Sequence, residues 1–201
     1  MTTPRDLMMT AMDVEADRQV ERGRLSLALA GAELIDLLAA ESVTLDGGRI
    51  VPGLRMPLPD HLLDAADESL VRETPYESVG DWLWRRGRDL SSAYLTALET
   101  EGQVTRQRRR WLPFGNSRTT LADSPDRRMA EDRWASHEPV ITALGTAVGL
   151  REPEPEDAAG GTDDDVEEVL AEVNDAVLEL ESVRQRRDIE QAAFDNIWRG
   201  D

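Results

Sequence analysis

The arginines are the residues of this chain whose chemistry is most evident. Every basic residue among its 201 is an arginine, and the densest run is RQRRR at 106–110, followed by WLPF at 111–114. A guanidinium offers a planar fork of N–H donors that fits phosphate oxygens, and aromatic side chains beside basic ones favour a bilayer interface. The run therefore predicts an anion-binding surface with four membrane-contact candidates, Arg108, Arg110, Trp111 and Phe114. The alternative interpretations are a solvated edge strand and, for Trp111, packing in the core.

A second arginine pair opens a predicted helix. Arg127 and Arg128 follow Ser124-Pro125, a typical helix start. The first turn of a helix already favours anions through its free N–H groups and its dipole, so arginines there indicate a bound phosphate. A solvated helix face is the alternative.

Aromatic and basic residues also cluster at 82–88, WLWRRGR. Helical spacing places Trp82 on an apolar face with Val79 and Leu83 and leaves Trp84 as a candidate for exposure. Helix packing explains most of this cluster.

The sequence contains no recognisable catalytic or metal-binding pattern. It has no cysteine, glycine-rich phosphate loop, zinc-ligand spacing or Gly-x-Ser-x-Gly elbow. Its two histidines, His61 and His137, stand alone near predicted helix starts. We therefore expect a non-enzymatic protein with no catalytic residue, no metal site and no cofactor.

One pattern, a helix running into a hairpin, occurs twice. At 29–51 apolar residues at helical spacing precede a Val-Thr-Leu strand and an Asp-Gly-Gly turn, and 90–112 repeats the order with Val104, Trp111 and Leu112 in the strands. Further helices are predicted to start at Thr3-Pro4, Asp60, Thr74-Pro75, Ser124-Pro125 and Glu138-Pro139. The expected fold is mainly α with short β-hairpins, a single compact helical domain of winged-helix-like units.

Charged residues are distributed unevenly along the chain. Of the net −18, residues 151–181 account for −12, with thirteen acids against one arginine, whereas residues 82–133 carry +4. We predict a domain at 1–150, an acidic disordered linker at 151–165 and a C-terminal amphipathic helix region at 166–201. The end of that helix, with Phe194, Ile197 and Trp198, is expected to dock on the body. The absence of a 20-residue apolar span, of a signal peptide and of cysteine favours a cytoplasmic location.

The runs DLMMTAMD at 6–13 and LALAGAELIDLLAAESVTL at 27–45 resemble the opening of the Golgi phosphoprotein 3 family. The resemblance continues through the helix at 64–70, the helix at 90–102, the basic hairpin and the Leu-Ala-Asp turn at 121–123, and so covers most of 5–150. It implies a mostly helical fold with hairpins. Eukaryotic members bind phosphatidylinositol 4-phosphate on the cytosolic face of Golgi membranes and help to retain glycosyltransferases there.

The resemblance also implies a head-group site, which is only partly present. The family's helix arginine corresponds to Ala30, and Val20, Glu21 and Arg22 lie near its expected tryptophan. The family's later basic pair has counterparts in Arg127 and Arg128, preceded by Arg118. The predicted lipid head-group residues are Arg22, Arg24, Arg118, Arg127 and Arg128.

Three functions compete. The first is a peripheral membrane adaptor that binds a phosphoinositide or another anionic phospholipid head group through clustered arginines. The second is a cytosolic protein-interaction module without lipid activity, which the missing helix arginine favours. The third, a winged-helix DNA binder, ranks last because a chain of −18 opposes counterion-release binding, so nucleic acid is not an expected partner. A client protein and a homo-oligomer are left open.

Overall fold

Eight helices and two hairpins make up the described part of the protein. The computed structural model describes residues 2–14, 21–107, 118–152 and 163–198, and the side-chain surroundings of all of these except 106, 107, 118, 119 and 192–198. The elements in chain order are α1 (Thr3–Val14), α2 (Arg22–Ala39), β1 (Val43–Asp46), β2 (Arg49–Pro52), α3 (His61–Glu68), α4 (Val79–Arg86), α5 (Leu90–Thr100), β3 (Val104–Gln107), β4 (Arg118–Leu121), α6 (Pro125–Ala135), α7 (Pro139–Ala147) and α8 (Asp164–Trp198). The predicted mainly α fold with short hairpins is confirmed.

Each hairpin is a two-stranded antiparallel sheet that follows a helix. In the first, Val43 pairs with Pro52 and Asp46 with Arg49 across Gly47-Gly48. Both glycines have positive φ, +55° and +74°, as the tightest hairpin turns require. In the second, Val104 pairs with Leu121. The predicted strand residues Trp111 and Leu112 lie outside the described residues.

Capping residues explain most helix starts. The Asp60 carboxylate accepts hydrogen bonds from the N–H groups of Leu62 and Leu63, and Ser124 and Glu138 cap α6 and α7 ahead of their prolines. The start predicted at Thr74-Pro75 is wrong. There α4 begins four residues later, at Val79, because the Ser78 hydroxyl accepts the N–H of Asp81.

Helix α2 lies at the centre of the core. Its residues from Leu25 to Ile35 are all buried, so almost its whole surface is in contact with other elements. It packs against α1, α3, α4, α5, α7 and α8. Gly31 makes the contact with α8 possible, because a Cβ there would lie 2.3 Å from Cγ2 of Val173.

Helix α8 lies on the body for only part of its length. It contributes Val169, Val173, Ala176 and Val177 to the hydrophobic core, and every described residue from 185 to 191 is exposed. The division of the chain at residue 150 stays a prediction. The predicted disordered linker falls largely on residues 153–162, and the docking side chains of Phe194, Ile197 and Trp198 also lie outside the described set.

Candidate functional site

A pocket of about 260 Å³ opens where three helices meet, at the N-termini of α2 and α5 and beside α8. Its lining residues are Arg22, Gly23, Ser26, Leu27, Trp84, Gly87, Arg88, Asp89, Ser91, Ser92 and Leu180. We call this space the two-arginine pocket, after Arg22 and Arg88.

Two serines hold the floor of the pocket together. The Ser26 hydroxyl lies 2.9 Å from the Ser91 Oγ and accepts the Ser91 N–H at 3.0 Å, and both residues are buried. The Ser91 hydroxyl also reaches the Arg22 carbonyl oxygen at 3.4 Å. These bonds fix the start of α5 against the first turns of α2.

The turn between α4 and α5 brings Arg88 to the pocket. A Cβ at Gly87 would lie 2.5 Å from the Leu83 oxygen of α4 and 3.2 Å from the Ser26 oxygen of α2, so only glycine fits between the two helices. Asp89 then has a φ of +55° and starts α5 without capping it through its side chain. This turn brings Arg88 to the same pocket as Arg22.

Both arginines of the pocket are exposed. Among the described residues, no carboxylate forms an ion pair with Arg22 or Arg88. Glu21 starts α2 without a side-chain cap, so the N-terminus of α2 faces the pocket, whereas the first N–H groups of α5 are already bonded to the Gly87 and Asp89 oxygens and to the Ser26 hydroxyl. Of the acids that the structure describes, Asp89 alone lines the pocket. Two exposed guanidinium groups beside the N-terminus of α2 suit a phosphate.

The predicted head-group arginines that the structure describes do not all line this pocket. Of the four whose side chains the structure describes, Arg22 alone lines the pocket. Arg24 forms ion pairs with Glu181 of α8 and with Glu21. The backbone of Arg118 starts β4, and its side chain lies outside the described set, as do Arg108, Arg110, Trp111 and Phe114 altogether.

Arg127 and Arg128 are held by carboxylates on and beside α6. Arg127 contacts Asp13 at 3.0 Å and Glu131 at 2.8 Å, and Arg128 contacts Asp123 at 2.9 Å. Burial raises the pKa of Asp13, and Arg127 opposes that rise. These arginines therefore have partners within the chain, and their role in lipid binding stays a prediction.

The cluster at 82–88 separates into three roles. Trp82 is fully buried and donates its Nε1–H to the Ala30 oxygen, whereas Trp84 is 37 % exposed at the pocket, as the helical spacing indicates. Arg85 pairs with Glu77 and Arg86 with Glu33. Arg88 belongs to the same run of sequence, and the local sign of its different position is that it follows Gly87, where α4 ends.

Ala30, the position that the family resemblance assigns to a helix arginine, lies in the core. It is completely buried, and its carbonyl accepts the Trp82 Nε1–H. Arg22, Ser26 and Ala30 are spaced by four residues and so share one face of α2. Arg22, which lines the pocket, therefore lies about two turns before Ala30 on that face.

A second, larger groove lies beside the pocket but lacks cationic groups. It encloses about 550 Å³ along the exposed face of α5 and includes His61 and Glu101, the latter paired with Arg5. No arginine lines it. Among the described residues, no cluster of three or more histidines or acids could hold a metal ion.

Comparison with known families decides the relationship. The family model of Golgi phosphoprotein 3 (GPP34) matches residues 4–188. The chain belongs to the Golgi phosphoprotein 3 family. No curated protein matches it.

The family is Golgi-associated and is not known as a family of enzymes. The match includes the whole body, the two-arginine pocket and α8 as far as residue 188. No helix of this family member, within the described ranges, combines the length and apolar character that a membrane span needs.

Proposed function

We propose that this Golgi phosphoprotein 3 family member is a non-enzymatic, peripheral membrane adaptor that holds the phosphorylated head group of an anionic phospholipid in the two-arginine pocket. A phosphoinositide on the cytosolic face of a membrane is the ligand we favour. The observation that carries the proposal is that Arg22 and Arg88 lie at one concave site and form no ion pair with any acid that the structure describes. Most of the other described arginines of the body are bound to acids.

The geometry suits a head group better than a larger ligand. At about 260 Å³ the pocket is smaller than most sites for drug-sized molecules. Two guanidinium groups and the N-terminus of α2 supply donors for phosphate oxygens, while the exposed Ser92 can bond a hydroxyl group. Trp84, partly exposed at the rim, has the amphipathic character typical of residues at a bilayer interface.

Binding to vesicles tests the proposal. We expect the chain to bind phosphatidylcholine vesicles that contain phosphatidylinositol 4-phosphate, and to bind more weakly as the salt concentration rises. Arg22→Ser and Arg88→Ser should each weaken binding tenfold or more, since a hydrogen bond to a charged group contributes about 1.5–3 kcal/mol, which corresponds to about 10- to 150-fold in affinity. Duplex DNA at low salt should not bind.

Arg49→Ser is the matched control, because Arg49 is exposed on β2, where its guanidinium donates to the Tyr76 oxygen. It removes the same charge far from the pocket and should leave binding unchanged. Equal losses for Arg22, Arg88 and Arg49 would show a general charge effect and would overturn the assignment of the pocket. Phosphatidylserine vesicles of matched charge distinguish phosphoinositide recognition from attraction to any anionic surface.

A second candidate function, a protein-interaction module, rests on the loop after β2. Leu54 and Met56 are 89 % and 68 % exposed there, yet the loop is fixed, since Gly53 donates to Ser42 and Leu58 to Asp64. Rigid, exposed apolar side chains are typical of protein contacts. If the wild-type chain binds no anionic vesicle, this candidate replaces lipid docking.

A further inference from the structure

One acid lies in the pocket that we assign to an anionic ligand. Asp89 lines the two-arginine pocket with Arg22 and Arg88, and it is exposed. It follows Arg88 directly in the chain, yet its carboxylate forms no ion pair and no hydrogen bond with any residue that the structure describes. Elsewhere an acid near an arginine does pair, as Glu77 does with Arg85 at 2.6 Å. The Asp89 carboxylate is therefore available to a ligand.

The backbone explains the position of Asp89 but gives its carboxylate no structural role. Asp89 precedes α5 in the left-handed conformation, with φ +55° and ψ +16°, which aspartate and asparagine tolerate better than most residues do. A carboxylate at the start of a helix usually accepts the N–H groups of the second or third helical residue. Here those groups, of Ser91 and Ser92, are bonded to the Ser26 hydroxyl and to the Asp89 carbonyl oxygen. Helix capping therefore does not account for the acid.

Asp89 and Ser92 lie at the boundary between the pocket and the larger groove along α5, because both residues line both spaces. Arg22 and Arg88 line the pocket and not the groove. A phosphate held by the two guanidinium groups therefore lies on the pocket side of this boundary. A head group that extends from that phosphate toward the groove passes Asp89 and Ser92.

The chemistry of a carboxylate distinguishes a hydroxyl group from a phosphate. An ionised carboxylate accepts hydrogen bonds and donates none. A hydroxyl beside the bound phosphate can donate to Asp89, and a hydrogen bond to a charged group changes affinity by about tenfold or more. A second phosphate in the same place would face a like charge, which weakens binding.

We infer that Asp89 determines the specificity of the two-arginine pocket: its carboxylate accepts a hydrogen bond from a hydroxyl next to the bound phosphate and excludes a second phosphate from that position. The inference rests on the proposed function, since it requires a phosphate at Arg22 and Arg88. It adds the chemical class of the ligand, a polyol phosphate with a free hydroxyl next to that phosphate. Ser92 does not select in this way, because its hydroxyl both donates and accepts.

Asp89→Asn in the full-length chain tests the inference, because asparagine keeps the shape of the side chain and tolerates the left-handed backbone. The probes are inositol 1,4-bisphosphate and the 1,3,4- and 1,4,5-trisphosphates, which carry a further phosphate on one or the other side of the 4-phosphate. Titration calorimetry at constant ionic strength measures their affinities. Asp89→Asn should weaken binding of the bisphosphate about fivefold, because an amide oxygen is a weaker acceptor than a carboxylate. It should strengthen binding of at least one trisphosphate about fivefold, because the like charge is gone.

Asp46→Asn is the matched control, because Asp46 is an exposed acid on β1, in the first hairpin. Gly48 of that hairpin lies beside Glu168 of α8, whereas the pocket is lined by Leu180, about 18 Å further along the same helix. Asp46→Asn should leave the affinities for all three probes unchanged. Asp89→Gly is a second test, since glycine suits the positive φ and removes the whole side chain. It should weaken binding of the bisphosphate about tenfold.

The signs of the two changes in Asp89→Asn decide the outcome. Weaker binding of the bisphosphate with stronger binding of a trisphosphate supports the inference. Stronger binding of every probe would show that Asp89 only repels anions, and weaker binding of every probe would show a general disturbance of the pocket. Unchanged affinities would show that Asp89 does not contact the ligand. Each of these three results overturns the inference.

The proposed function can fail separately from this inference. If the wild type binds none of the probes and no vesicle that contains phosphatidylinositol 4-phosphate, both fail. If Arg88→Ser loses the bisphosphate while Asp89→Asn binds every probe as the wild type does, this inference fails alone. If the wild type binds the bisphosphate but no such vesicle, the ligand is a soluble polyol phosphate. The membrane function then fails, and the inference holds if the two changes in Asp89→Asn have opposite signs.

Discussion

Arg86 and Arg88 stand two residues apart, at the end of α4 and just beyond it, in two contrasting regions of the molecule. Arg86 reaches into the interior, where its guanidinium contacts Glu33 at 2.7 and 2.9 Å and the Leu62 oxygen at 3.1 Å. Tyr94 donates its hydroxyl to the same carboxylate at 3.0 Å. Arg88 is exposed at the two-arginine pocket and forms no ion pair with any acid of the described ranges.

The contrast separates arginines that hold the fold from arginines that are available to a ligand. Glu33 is completely buried, and burial raises its pKa, which Arg86 opposes. The buried carboxylate therefore requires its guanidinium partner. Arg88 neutralises no buried carboxylate among the described residues, so its removal should change the free energy of unfolding little. Residue type alone does not distinguish the two, whereas the position of the nearest carboxylate does.

The largest expected effect in this comparison is on stability. Arg86→Ala should lower the free energy of unfolding by about 3 kcal/mol or more, because it leaves the Glu33 carboxylate buried without its ion pair. Arg88→Ala should change it by no more than about 0.5 kcal/mol, as exposed substitutions usually do. Urea denaturation followed by circular dichroism measures both. If Arg86→Ala and Arg88→Ala unfold at the same urea concentration, the buried ion pair of Arg86 contributes no more to stability than the exposed Arg88 does.

Local sequence signals predicted the elements well, since each depends on near neighbours. The Gly47-Gly48 turn defined the first hairpin, and Asp60 and Ser124 identified two helix starts through their side-chain oxygens. Where two such signals competed, as at Thr74-Pro75 and Ser78, the hydrogen bond of Ser78 determined the start of α4.

The candidate site could not be predicted in the same way, because ion pairs join distant residues. Arg127 and Asp13 are 114 positions apart, Arg24 and Glu181 are 157 apart, and Arg86 and Glu33 are 53 apart. No local pattern shows which arginines these acids will engage. The sequence therefore predicted Arg22 as a head-group residue, but together with Arg24, Arg118, Arg127 and Arg128, and it indicated helix packing for the cluster that contains Arg88.

The buried carboxyl of Asp6, which forms an ion pair with Arg133, makes the stability of the fold depend on pH. Asp6 is 1 % exposed, and burial raises its pKa to about 6 although Arg133 forms an ion pair with it. A carboxyl whose folded pKa lies above its unfolded value contributes stability that is complete below about pH 3.8 and is lost as the pH rises through about 6. From this group alone, acidification from about pH 7 to 5 should add about 1 kcal/mol to the free energy of unfolding.

Asp6→Asn should remove this gain in stability. The quantity to measure is the difference in the free energy of unfolding between the wild type and Asp6→Asn, obtained from urea denaturation at each pH. Asp13 and Asp36 also have pKa values raised by burial, and they stay in both proteins. If the difference in unfolding free energy is the same at both pH values, Asp6 titrates as an exposed carboxyl does, and the interior does not perturb it.

The smallest expected effect concerns Arg127 and Arg128, the pair that sequence analysis placed at the head group. Both are partly exposed and paired with acids, and such ion pairs contribute about 1 kcal/mol or less. Arg127→Gln with Arg128→Gln should therefore lower stability by at most about 1 kcal/mol. It should weaken vesicle binding far less than Arg22→Ser with Arg88→Ser, because the partnered guanidinium groups must first leave Asp13, Glu131 and Asp123 to reach a phosphate. If the Arg127 and Arg128 pair proves the more important for vesicle binding, the head group lies against α6, and the acids beside it are displaced when lipid binds.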